Sequence, residues 1–249
     1  DAQVRLAGLR AGGVGVKQHE PSERGGGAEE AAAGSYSIPC GQLTVTAPVL
    51  FGELFVTPVM VAYLAQFPEV IINGLIVDRV VSMVEEGVDV AVRIGELPDS
   101  NQHAIRVGEV RRVICASPSF LQANGRPQHP QDLMRAPVIG TSSIGQQRSW
   151  PFHEAGELLS VRTEPRLVVT SNQAAIRAAS LGLGFTRVLS YQIASQVASG
   201  ELEIVLAEFE LPPLPIHVVY QGGRTAPARI RSFVDFTVKA LREHPALKR

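Results

Sequence analysis

A chain of 249 residues can bury around 70% of its unfolded surface in one large domain or two modest ones, so size does not limit its core. With 45% hydrophobic, 19% charged and 6% aromatic residues, the composition excludes the disordered and fibrous classes. A formal charge of -1 and a pI of about 6.7 exclude a protein that attracts nucleic acid by net charge alone.

Residues 1–40 read as a poorly ordered segment. Glycines at 12–15 and 25–27 interrupt any helical period, and only AEEAAA at 28–33 has helix propensity. From Gly41 onward strands alternate with helices. Residues 43–47 (LTVTA) form a strand ended by Pro48, and Phe51, Leu54, Phe55, Val59, Ala62 and Phe67 stripe a helix over 50–67 with an irregularity at Pro58. A strand at 70–77, a short helix at 80–86 closed by Gly87, and a strand at 88–94 complete a βαβαβ unit. The β-like run 104–117 is interrupted at Gly108 and Glu109, and a proline-rich passage with one short helix follows. A strand at 161–170 leads into a helix at 173–181 capped by Ser171 or Asn172. Then come a helix at 191–198, strands at 202–206 and 216–220 around Pro212-Pro213, and a C-terminal helix striped by Ile230, Phe233, Val234, Val238 and Leu241.

Cys40 and Cys115 stand outside any CxxC spacing, which suits a reducing compartment. No uninterrupted apolar run of about 18 residues occurs, and the first residues lack the apolar stretch of a secretory signal, so the chain reads as cytoplasmic.

The chemical motifs are sparse. The six histidines show neither HxxxH nor cysteine pairing, so no metal site is expected. Gly182 and Gly184 start like a dinucleotide motif, but Arg187 holds the third glycine's place and the glycines end a helix, which makes them a helix stop. Residues 140–145 (GTSSIG) miss the GxSxG elbow by one position and read as a turn. Glu85, Glu86 and Asp89 surround Gly87 and read as a solvated corner. Two helix starts remain, each directly after a strand: TVTAP before the first helix and VVTSN before the later one. Ligands of open α/β sheets lie at the carboxyl ends of strands, where unpaired N–H groups and the helix dipole favour anions. Facing one cleft, these starts bind a ligand; otherwise Ser171 and Asn172 simply cap a helix.

The segments GQLTVTAPVLFGELFVTPVMVAYLAQFPEV (41–70), DRVVSMVEEGVDVAVRIGELPDS (78–100), VGEVRRVICASPSFL (107–121), GLGFTRVLSYQIASQVASGELEIVL (182–206) and RSFVDF (231–236) together resemble the effector-binding domain of LysR-type transcriptional regulators. The resemblance covers nearly everything after residue 38. It implies an α/β fold like that of type 2 periplasmic binding proteins, with two lobes, two crossover segments and a small-molecule effector between the lobes. Lobe I would comprise 41–112 plus 213–249, and lobe II 113–212. The effector-binding residues it implies are Pro48, Val49, Leu50 and Phe51, then Arg93, Ile94 and Gly95, the Thr141-Ser142 loop, and Ser171 and Asn172. No cofactor and no catalytic residue are implied. The expected partners are the effector, a second copy of the chain joined through the lobes, and promoter DNA only through a helix-turn-helix domain.

Two departures from the family pattern matter. Many members carry Ser or Thr where this chain has Leu50, so a contact to an effector carboxylate is lost and a more apolar ligand is favoured, with Arg93 the available cation. Residues 1–27 contain neither a recognition helix nor heptads, although AEEAAAGSYS resembles the end of the family's linker helix. The expectation is a truncated gene product lacking its helix-turn-helix, which the upstream DNA sequence decides. Three alternatives share the fold: a periplasmic-type solute-binding protein, marked by a signal peptide; an enzyme, marked by a reactive constellation in the cleft; and a regulator remnant without function.

Overall fold

The computed structural model describes residues 38–98, 102–141 and 149–247. The expectations for residues 1–37, including the short helix at 28–33, and for Ser142 lie outside the described residues.

Strand β1 (Gly41–Ala47) is followed by helix α1 (Val49–Gln66), β2 (Val70–Ile76) and β3 (Val90–Ile94). Strands β1, β2 and β3 run parallel, as a βαβαβ unit predicts. The expected helix at 80–86 is absent: residues 83–87 are turns, pinned by the Arg79–Glu86 pair and by Ser82, whose oxygen accepts from Glu85 N–H. Val81 and Met83 instead turn into a small core with Val88 and Ala91, which an α-helical turn over these residues does not provide. Asp89 is also no solvated corner, because its Oδ2 accepts from Thr44 N–H at 2.8 Å and holds the start of β3 against β1.

Helix α1 deviates from α geometry at Gly52–Val56, a π-helical turn just before Pro58, whose missing N–H breaks the regular ladder. By length and mean hydropathy (1.6 over 18 residues) α1 could cross a membrane, which qualifies the expectation drawn from uninterrupted runs. Here its Phe51, Phe55 and Tyr63 are buried in the first core, and Tyr63 stacks edge-on against Phe233 near the C-terminus.

The predicted run over 104–117 is two strands, β4 (His103–Val110) and β5 (Arg112–Ala116), and the break falls at Arg111. There the chain leaves the first sheet for a second. Helix α2 (Pro118–Asn124) starts on Ser117, whose hydroxyl accepts from Phe120 N–H at 3.3 Å. Strands β6 (Val138–Thr141), β7 (Ser149–Glu154), β8 (Glu157–Arg162) and β9 (Pro165–Val169) follow, so the predicted strand at 161–170 divides at 163–164. Helix α3 (Asn172–Ser180) leads to β10 (Phe185–Leu189), a strand with no counterpart in the sequence reading. A 3-10 turn at Ser190–Ile193, α4 (Ala194–Ala198), β11 (Glu203–Val205), β12 (Leu214–Tyr220) and α5 (Ala228–Glu243) complete the order.

The first sheet has the order β2-β1-β3-β12-β4 and the second β11-β5-β10-β6-β9, with β7 and β8 forming a separate hairpin. Strand β12 returns to the first sheet antiparallel to β3 and β4. The chain therefore forms two α/β lobes with two crossings, at Arg111 and between β11 and β12. An ion pair fastens the crossings together: Arg111 Nη1 donates to both Glu210 carboxylate oxygens at 3.1 and 3.2 Å. Arg111 N–H also donates to the Ser190 hydroxyl at 3.2 Å, and its carbonyl accepts Ser190 N–H at 2.8 Å.

The two glycines that looked like a dinucleotide motif do separate jobs. Gly182 takes a φ of +83° to end α3. Gly184 lies so close to the Pro137 carbonyl that a β-carbon there would sit 2.1 Å from its oxygen. That carbonyl also accepts Phe185 N–H at 2.9 Å, where β10 joins β6. Gly184→Ala should therefore cost roughly 3 kcal/mol and lower Tm by roughly 5–10 °C in thermal denaturation. Burial pushes the Cys115 thiol up to about 12, whereas Cys40 is exposed. At about pH 8 a disulfide reagent should titrate Cys40 alone in the native chain and both thiols after unfolding in guanidinium.

Candidate functional site

A cleft of about 340 Å³ opens between the lobes, within the size range of small-metabolite sites. Its first wall comes from the carboxyl ends of neighbouring parallel strands. Beyond β1 stand Val49 and Leu50, and at the end of β2 Ile76, then Val77 and Asp78. The opposite wall lies beyond β9 and is made of Thr170, Ser171, Asn172 and Gln173. The two helix starts picked out in the sequence thus face one cavity.

Several bonds hold the first wall. Val77 N–H donates to the Ala47 carbonyl at 3.0 Å, and Thr46 Oγ1 donates to the Leu75 carbonyl at 2.6 Å, so the ends of β1 and β2 move as one piece. Asp78 Oδ1 then accepts from Val49 N–H at 2.9 Å, capping the first turn of α1 from 29 residues away. A β-carbon on Gly52 would lie 2.7 Å from Ile76, so glycine here lets α1 settle directly on β2. Leu50 is half-buried and packs against the cores of both lobes, which places it at the seam.

On the second wall, Ser171 is the cap of α3, with φ -114° and its hydroxyl accepting from Ala174 N–H at 3.4 Å. Asn172 is the first helical residue, and its amide, like the Thr170 hydroxyl, makes no hydrogen bond to the described residues. Gln173 reaches across the opening, its Nε2 donating to Glu53 Oε2 of α1 at 3.4 Å. Beneath the cleft, Tyr191 is buried against Phe51 (ring centroids 5.4 Å apart) and Phe55 (5.7 Å). Burial raises the Tyr191 phenol above its usual range, the Gln192 side chain opposes this, and the Asp78 carboxylate adds to the rise.

The structure brings Val49, Leu50, Ser171 and Asn172 together in the cleft, with Pro48 as the residue before the first turn. Phe51 is placed otherwise, its side chain fully buried in the first core. Thr141 ends β6 beside Val169 and does not line the cavity. Arg93, Ile94 and Gly95 do not line it either. Arg93 turns its guanidinium to the Val81 carbonyl, where burial lowers its pKa and Glu86 partly offsets that. Gly95 donates its N–H to the Pro215 carbonyl at 2.8 Å. Asp78, Thr170 and Gln173 were missed by sequence reasoning. Asp78 directly follows a strand parallel to β1, and that is the signal that could have placed it at the same edge as the helix start.

The family model described as the LysR substrate binding domain matches residues 37–242. Among curated proteins, the chain is 32% identical over 206 residues to the HTH-type transcriptional regulator PtxR of Pseudomonas aeruginosa, which covers 83% of this chain and 65% of that protein. It is 27% identical over 220 residues to the probable HTH-type transcriptional regulator LtrA of Klebsiella pneumoniae, covering 86% of this chain and 71% of the other. The chain thus spans about two thirds of the length of these relatives. Among solved structures, CrgA, a LysR-type transcriptional regulator from Neisseria meningitidis, superposes with a TM-score of 0.73 at 25% identity, over 86% of this chain and 73% of that one. The Vibrio cholerae virulence activator AphB gives 0.72 at 23% identity over 80% and 68%, a likeness of fold. The two lobes are those of the type 2 periplasmic-binding-protein-like fold found in such regulatory domains.

The cap assignment separates two neighbouring residues by stability. Ser171→Ala should cost about 1 kcal/mol and lower Tm by roughly 2–4 °C. Asn172→Ala should change stability by less than about 0.5 kcal/mol. Thermal melts of the two variants check both.

Proposed function

The chain belongs to the LysR substrate-binding-domain family, and from that membership we propose that its interlobe cleft is the effector site of a cytoplasmic transcriptional regulator. The observation that carries the reading is the convergence of two strand-to-helix junctions, one from each lobe, on one cavity of metabolite size. Val49, Leu50, Thr170 and Asn172 are the proposed effector contacts, and Ser171 positions α3. Pro48 sets the direction of the first turn. Phe51 contributes through the core beneath the cleft, and Arg93, Ile94, Gly95 and Thr141 through the sheet edges that frame it.

The proposed chemistry is reversible binding without turnover. The bound molecule touches both lobes, so it acts by favouring one relative arrangement of them, to the extent that it binds that arrangement better. Contacts to promoter DNA are assigned to a helix-turn-helix domain, the feature that PtxR and LtrA carry in their names. Self-association through the lobes is assigned to this domain. The periplasmic solute-binding reading shares the cleft but has no relative among these matches to favour it.

A thermal-shift screen of the purified chain against small metabolites tests the assignment, since a ligand that binds only the folded state raises stability by RT ln(1 + [L]/Kd). An effector at a hundred times its Kd should raise stability by about 2.7 kcal/mol. The rise should vanish in Asn172→Ala, whose own Tm stays near that of the parent. A shift that survives Asn172→Ala and Leu50→Ala together would place the ligand elsewhere.

A further inference from the structure

The cleft carries a charge pattern that selects among ligands. Asp78 is the one charged side chain among the described residues that line it. One of its oxygens accepts Val49 N–H at 2.9 Å, and the other makes no hydrogen bond to the described residues. The neighbouring cations are committed elsewhere. Arg79 forms a two-pronged pair with Glu86 at 2.7 and 2.5 Å, and Arg93 is turned onto the Val81 carbonyl. At the rim stands a second carboxylate, Glu53, held by Gln173.

An anion would need a positive counterpart here. The start of α1 supplies about half a unit of positive charge, but Asp78 already answers it with a full negative one. Leu50 brings no hydroxyl to that turn. The start of α3 is answered at one position as well, where the Ser171 hydroxyl takes Ala174 N–H. The remaining surface is apolar on the first wall (Val49, Leu50, Ile76, Val77) and neutral and polar on the second (Thr170, Asn172).

We infer that the cleft takes an amphipathic ligand with a protonated amine or amidinium end, held by the open Asp78 oxygen, and disfavours carboxylate-ended molecules of the same shape. This rests on the cleft being the effector site. The cationic end donates a charge-assisted hydrogen bond to Asp78. The hydrocarbon part lies on Leu50 and Ile76, and the polar groups meet Thr170 and Asn172. Asp78 has a second duty at the α1 cap, so the informative substitution is Asp78→Asn, which keeps an oxygen acceptor for Val49 N–H and removes the charge.

The test is a titration of the full chain, by calorimetry and thermal shift, with matched arylalkyl and alkyl series ending in amine, amidine or carboxylate. The series are run on the parent chain and on Asp78→Asn, Asp78→Glu and Asn172→Ala, each first checked for an unchanged circular-dichroism spectrum. The expected result is that amines or amidines bind the parent at least tenfold tighter than their carboxylate partners. Asp78→Asn removes that preference and Asp78→Glu largely restores it. A carboxylate that binds the parent as tightly as its amine partner, and is lost in Asn172→Ala, overturns the charge assignment and leaves the effector site standing. Absence of any Asn172-dependent binding across all the series overturns both.

Discussion

The cleft depends on one buried contact between the lobes: the ring of Tyr191, which belongs to the second half of the chain, sits among Phe51 and Phe55 of α1. Tyr191 follows β10 by one residue and begins the turn toward α4, so its burial ties the central strand of the second sheet to the helix lying on the first. An aromatic side chain buried in this way contributes several kcal/mol, roughly 3–5 by truncation. Without it, α1 and α3 would be two separate helix starts on two separate sheets. With it, their first turns are held across about 340 Å³.

The crossings add direction to that contact. Arg111 and Glu210 lie on the two strands of chain that pass between lobes, and their pair is half-exposed on the arginine side and largely buried on the glutamate side. Burial raises the Glu210 carboxyl, while Arg111 opposes this. The pair keeps the two crossings side by side. Gln173 and Glu53, whose 3.4 Å bond spans the cleft opening, are exposed side chains.

Much of this was legible in the sequence, for identifiable reasons. LTVTAP and VVTSN announce a strand, a stop and a cap within five or six residues each, all of them local effects of β-branching, proline geometry and side-chain capping. The stripe of α5 was legible because a helix half in the core must repeat its apolar residues. Strand β10 was not. FTRVL is only five residues long and lies between a helix stop and a 3-10 turn, so no period develops, and its central place in the sheet comes from pairing with β5 and β6. The helix expected at 80–86 failed for the converse reason: its apolar spacing was right, but Val81 and Met83 point into a small core under β3 while Arg79 and Glu86 close the loop outside. Arg93, expected as the ligand's cation, was misplaced because a strand pattern gives the parity of a side chain and not the carbonyl it will find. Asp78 was missed because its partner, Val49 N–H, is 29 residues away and becomes a neighbour only when β1 and β2 pair.

Leu50 and Asp78 are best understood as a pair. A hydroxyl at position 50 would add a donor beside the first turn of α1, where a ligand's carboxylate could meet two N–H groups and the helix dipole. In this chain Asp78 fills that electrostatic role from within, and the vacated side-chain position is given to a hydrocarbon that both cores share. Leu50 thus lines the cleft and packs against both cores at once. A ligand packed on Leu50 would therefore press on a side chain that both cores share, and any difference in its affinity between two lobe arrangements would act at the seam itself. A tenfold difference would shift that balance by about 1.4 kcal/mol, comparable to a single well-made hydrogen bond. Val49 and Leu50 line the cleft, and Phe51, the next residue of the same helical turn, is buried against Tyr191, so the cleft surface and the interlobe contact are consecutive residues.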